Sequence, residues 1–143
     1  MTTAFASIVG AMVAALSAGT PVSPNIFRAR LRPIAAQHNT AVVVRLIQPT
    51  PTRGPIKGAP VDWLVSVAVE CYARSSTTTP DLAVDPLVKA VYGRLMADST
   101  LGGATSDLAE GPISYDFDAD GEQTACAMLI FQASRRTSEL TLT

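Results

Sequence analysis

The sequence predicts an α+β fold: one mostly antiparallel, mixed β-sheet of about five strands with two helices packed on it, in the order α-β-β-β-α-β-β. Three observations lead there. Two stretches, 4–18 and 84–96, carry apolar residues at helical spacing, whereas the apolar residues between and after them alternate or run β-branched. Strands and helices are mixed along the chain without a strict β-α alternation, which favours an antiparallel sheet with helices on it. Finally, 143 residues with 48% apolar and 16% charged content suit one globular core. Residues 1–143 are therefore read as a single domain. At this length folding buries roughly 68–70% of the unfolded chain's surface, so no metal or disulfide staple is required.

The first element is an amphipathic helix. Phe5, Ile8, Val9, Met12, Val13 and Leu16 form its stripe, Thr2 or Thr3 caps its start and Gly19 closes its end. No basic residue precedes this stretch, as a signal peptide would need, and it is too short for a membrane span. With so little charge opposite the stripe, its second face is available to another subunit. "NIFRARLRPI" then alternates, with Ile26, Arg28, Arg30 and Arg32 on one side and Phe27, Ala29 and Leu31 on the other, as a half-buried strand with a basic face. "AVVVRLIQ" (41–48) is a more buried strand. Residues 49–61 are rich in proline and glycine and read as a semi-extended loop, either a finger that orders on a partner or a plain mobile connection.

"DWLVSVAVECYAR" (62–74) is the longest strand, with Trp63, Val65, Val67, Val69 and Cys71 on one face and Ser66, Glu70 and Arg74 on the other. A second helix starts with Asp85 as N-cap and Pro86 at its first position, and ends before Leu101-Gly102-Gly103. In "PISYDFD" Ile113, Tyr115 and Phe117 should face inward, and Ser114, Asp116 and Asp118 outward. "QTACAMLIFQASRRT" (123–137) is apolar on both faces in its middle and belongs inside the sheet. Residues 138–143 are a C-terminal tail.

Charge is split along the chain. Residues 1–60 hold six bases and no acid, a charge of +6; residues 61–143 hold all 12 acids against five bases, a charge of −7. If the split persists in space, the protomer is bipolar and suited to head-to-tail contact with copies of itself. Neither a basic balance nor a dense Lys/Arg stripe marks a specific nucleic-acid binder.

The candidate chemical sites are few. Asp116, Asp118 and Asp120 followed by Gly121 imitate half an EF-hand, but the twelfth position is Ala127 where a bidentate Glu is needed, and the flanks have strand periodicity. The same residues fit the outer face of a strand entering an Asp-Gly hairpin. His38, the one histidine, lies in a polar loop; Cys71 sits mid-strand, and Glu70 reads as a solvated surface acid. Cys71 and Cys126 read as buried reduced thiols, a disulfide between neighbouring strands being the alternative. No catalytic constellation, metal site or cofactor is implied.

From residue 80 onward, "PDLAVDPLVKAVYGRLMADSTLGGATSDL" resembles the tail terminator and tail-completion (minor tail) proteins of long-tailed bacteriophages. The carrying features are Asp81 and Val84-Asp85 before the helix, Leu87, Val88, Val91, Tyr92 and Leu95 along it, and Asp98 ahead of Leu101-Gly102-Gly103. The Trp63 strand, the acidic hairpin, the terminal Arg135-Arg136-Thr137 and the Arg-rich first strand fit the same layout, from about Asn25 to Thr137. The resemblance implies a structural virion protein without catalytic residues: a ring, as a homo-hexamer, at the head-proximal end of the tail, assembled in the bacterial host cytoplasm. It would cap the tail tube, halt its polymerisation and meet neck or head-completion proteins. On that reading Arg28, Arg30 and Arg32 face an acidic neighbour, Arg53 and Lys57 sit on an interface loop, and Asp116 and Asp118 belong to the acidic half. Another neck or minor tail protein is the nearest alternative, and a small cytoplasmic ligand-binding module the alternative of another class.

Overall fold

The computed structural model describes residues 2–29, 39–53, 56–74, 79–117 and 124–143. Helix α1 (Ala4–Ser17) begins where the Thr3 hydroxyl accepts the Ala6 N–H at 3.2 Å. Its stripe of Phe5, Ile8, Val9, Met12 and Leu16 is buried, and Val13 is partly so. A short strand β1 (Ile26–Arg28) follows, then β2 (Thr40–Arg53) and β3 (Val61–Arg74). Helix α2 (Pro80–Met96), a 3-10 turn (Leu101–Gly103), β4 (Asp107–Phe117) and β5 (Thr124–Thr137) complete the chain. The expected α-β-β-β-α-β-β order is the observed one.

The five strands form one sheet in the order β1-β2-β3-β5-β4. β1 runs parallel to β2, and every other pairing is antiparallel, so the sheet is mixed as expected. Both helices pack on one face, where Val42, Val44, Val65, Val67, Leu129 and Phe131 join the helical stripes in a continuous core. On the other face the described residues form only a small cluster of Ala41, Val43, Phe27 and Tyr72. The strand at 124–137 is interior, as its two apolar faces imply.

Four expectations are corrected. The first strand is shorter than 25–34: β1 ends at Arg28, and Ala29 takes a left-handed φ of 50° that turns the chain off the ladder. The Pro/Gly-rich loop expected over 49–61 is also shorter, because β2 continues through Pro49 and Pro51 to pair Arg53 with Val61. β1 covers only Val42–Val44, and beyond them no strand among the described residues pairs with the outer edge of β2. Two prolines at alternate positions both direct their missing N–H toward that edge, where no ladder bond is lost. The reversal itself is a turn with the Ala59 N–H on the Ile56 carbonyl and Gly58 at φ +86°.

Helix α2 begins at Pro80 with Thr79 as N-cap, six residues before the expected start. Pro80 takes the favoured first-turn place, and Asp81 lies in the first turn, where the helix dipole favours an acid. Pro86 is tolerated inside because it and Leu82, whose carbonyl loses its partner, are both solvent-exposed. Lastly, Ile113, Tyr115 and Phe117 point to the helix side of the sheet but are 42%, 48% and 50% exposed. They stand on the edge strand, beyond the cover of the helices.

One tie is not visible in the sequence. The Arg94 guanidinium, from α2, donates to the carbonyls of Ala15, Ala18 and Thr20 at 3.1, 2.6 and 2.8 Å. It thus caps the C-terminal end of α1, where the dipole is negative and carbonyls lack helical partners. Arg94→Met should cost about 1–2 kcal/mol, read as a lower urea midpoint at unchanged m.

Candidate interaction surfaces

Among the described residues no three His, Cys, Asp or Glu side chains gather to hold a metal ion. Cys71 and Cys126 are buried and are not joined in a disulfide. Cys71 pairs with Ala127 and Cys126 with Tyr72, so the two thiols lie on opposite faces of the β3–β5 ladder and do not form the alternative disulfide. Burial pushes the Cys71 thiol up, away from the thiolate a nucleophile needs. Glu70 is not simply solvated: it accepts from Arg45 at 3.1 Å and from the Tyr72 hydroxyl at 3.3 Å. His38, Asp120, Gly121 and the expected hairpin dipeptide lie outside the described residues.

The candidate contact residues do not form one patch. Arg28 projects on the helix side of β1 and donates to the Ala6 carbonyl at 2.8 Å, holding β1 to α1. Arg53 pairs with Glu139 of the C-terminal tail at 3.6 Å, and the tail is further held by the Ala4 N–H on the Leu142 carbonyl. Lys57 is exposed on the β2–β3 turn beside Ile56, which is 73% exposed. Asp116 stands exposed on β4, opposite Cys126. Arg30, Arg32 and Asp118 lie outside the described residues.

Two features emerge only from the three-dimensional arrangement. The first is an apolar cleft of about 310 Å³ between the start of α2 and the end of β4, lined by Asp81, Leu82, Asp85, Tyr115 and Phe117. Tyr115 and Phe117 stack at 6.1 Å, as residues two apart on a strand share a face. Thr79, through its hydroxyl, and backbone N–H groups hold the Asp81 carboxyl below the usual carboxylate range, so it is charged at neutral pH. Alternation indicated which way these side chains point; it carried no sign of whether a helix covers them.

The second feature is the placement of charge. Sheet order puts β1 and β2, from the acid-free first 60 residues, at one edge and β4, with Asp107, Glu110 and Asp116, at the other. Pairs such as Arg45–Glu70 and Arg53–Glu139 cancel part of the split, but the two edges keep opposite signs.

At the hairpin end, Arg136 and Asp62 form a two-point pair at 2.7 and 3.2 Å on the open face. The Arg136 guanidinium holds the Asp62 carboxyl below its ordinary value. A depressed carboxylate contributes stability above its unfolded pKa and loses it as pH falls through the lower folded one. An NMR titration should place the Asp62 midpoint below that of a free aspartate, and Arg136→Ala should bring it back up.

No family model matches the chain, and no curated protein does. Among the solved structures similar to it are two. One is a chain of the "Virion of native gene transfer agent (GTA) particle", 13% identical, with a TM-score of 0.52 over 91% of this chain and 95% of that one. The other comes from an extracellular contractile injection system, the "PVC sheath/tube terminator in extended state", 13% identical, with a TM-score of 0.46 over 96% of this chain and 59% of that one. This chain therefore has, across nearly its whole length, the fold of a protein found in the gene transfer agent virion.

Proposed function

We propose that this chain is a structural virion protein, a tail terminator whose copies close into a ring that caps the tail tube. The ring, a homo-hexamer, stops tube polymerisation at the head-proximal end and presents the surface that neck or head-completion proteins bind. It assembles in the bacterial host cytoplasm and acts by contact, without catalysis. The observation that carries this reading is the fold shared end to end with a chain of a virion particle. Sequence resemblance to tail terminators points the same way. Oppositely charged sheet edges and an uncovered apolar cleft on β4 suit a subunit held by its neighbours. Arg53, Lys57 and Asp116 are the partner-facing residues we assign on this surface, with Arg28 as a tie within the subunit.

Light scattering tests it. A ring of six copies has a mass of about 90 kDa, six times the 15.0 kDa of one chain. A strict monomer at every concentration, unable to bind tail tubes, would sink the proposal.

A further inference from the structure

We infer that copies of this chain join head to tail by seating the β2–β3 turn of one copy, Ile56 and Lys57, in the cleft of the next, between Tyr115, Phe117 and Leu82 with Asp81 and Asp85 at its rim. The contact deepens the ring reading above and rests on it.

Chemical complementarity argues for a second copy as occupant. The cleft combines a leucine and two stacked rings with two carboxylates. The turn offers the matching pair in adjacent residues, an exposed aliphatic side chain and an exposed ammonium that makes no ion pair among the described residues. Ile56 and Leu82 are 73% and 63% exposed, an arrangement that leaves apolar surface in water on both sides of the contact. Pro49 and Pro51 and a double-stranded ladder stiffen the stalk that carries the turn, so less freedom is lost on docking.

Geometry forbids the same contact within one copy. Arg53 lies on the rung of Val61, while Phe117 lies on the rung of Ala125 and Ala73. The twelve residue steps from Val61 to Ala73 separate them by on the order of 40 Å along the strands. They also sit toward opposite edges, with β3 and β5 between. A projection at one end and edge that fits a recess at the other end and edge makes a heterologous contact. Repetition of such a contact closes a ring or runs on as a filament.

The test uses the full chain and two variants: a turn variant, Ile56→Asp with Lys57→Glu, and a cleft variant, Leu82→Asp with Asp85→Lys. All four positions are exposed, so circular dichroism and thermal midpoints should match the unaltered chain. Sedimentation equilibrium should show each variant alone as a monomer, its self-association weakened roughly 30-fold or more. An equimolar mixture should form a dimer and stop there, because one intact turn still meets one intact cleft. The proposal is overturned if either variant assembles like the unaltered chain, or if the mixture stays monomeric. Failure of the broader reading is a separate result: a chain that assembles through this contact yet leaves tail tubes uncapped keeps the contact and loses the terminator function. Should a variant misfold, Lys57→Glu and Asp85→Lys singly should each weaken association and the double exchange should restore it; a double exchange that restores nothing overturns the contact.

Discussion

Phe131→Ala is expected to cost about 3–5 kcal/mol of folding stability, the largest loss expected from a single truncation in this core. Phe131 is 1% exposed on interior strand β5 and faces the helices in the main core. It pairs across the ladders with Val67 and Glu110, and its ring centroid lies 6.4 Å from that of Tyr92 on α2. Removing the ring leaves a cavity where β5 and α2 meet, and the surrounding backbone ladders prevent the site from collapsing to fill it. The thermal midpoint should fall by roughly 10 °C or more. Measurement at a fixed protein concentration separates this loss from any change in assembly. Phe131→Leu, which keeps most of the volume, should cost markedly less; equal losses would mean the ring is not packed as described.

Gly111→Ala is expected to cost up to about 3 kcal/mol, from a single added methyl on an edge strand. Gly111 and Pro112 together oppose Ile130, forming the bulge between the Glu110–Phe131 and Ile113–Leu129 pairs. A Cβ at Gly111 would stand 2.8 Å from the Ile130 carbonyl oxygen, a backbone atom that cannot swing away. The strand must then shift, and the part of β4 beyond the bulge carries Tyr115 and Phe117. Amide hydrogen exchange should show lost protection from Ile113 to Phe117 with β3 retained. A variant as stable and protected as the original would contradict the close approach.

Much of this fold was legible because periodicity reports geometry directly. The α1 stripe, the alternation of β3 and the doubly apolar centre of β5 each gave an element its place. What periodicity cannot report is company. Ile113, Tyr115 and Phe117 read as inward, and they do point to the helix side, but cover depends on where α2 ends up across the sheet. Proline misled in two ways for one reason: its cost depends on whether the missing N–H had a partner. Pro49 and Pro51 cost little on a strand edge that no described strand pairs with, and Pro86 little on an exposed helix face, so neither ended its element. Arg94 was illegible because the carbonyls it caps lie more than seventy positions away. Of the expected contact residues, Lys57 and Asp116 are exposed, Arg28 donates to the Ala6 carbonyl of α1, and Arg53 pairs with Glu139 of the tail.

The charge split shows how a one-dimensional pattern becomes a surface. Interleaving of β3 and β5 could have erased it, and partial cancellation by Arg45–Glu70 is visible. The strand order nevertheless leaves the acid-free segment and the acidic strand at opposite edges. Polarity of this kind suits head-to-tail association, as the proposed ring requires.

The most direct test of the central claim is the length of tail tubes assembled from tube protein with and without this chain, measured by negative-stain electron microscopy. Adding the chain should halt growth, give tubes of restricted length and leave a ring of density on one end. Tubes that lengthen equally with the chain present, with bare ends, would contradict the claim.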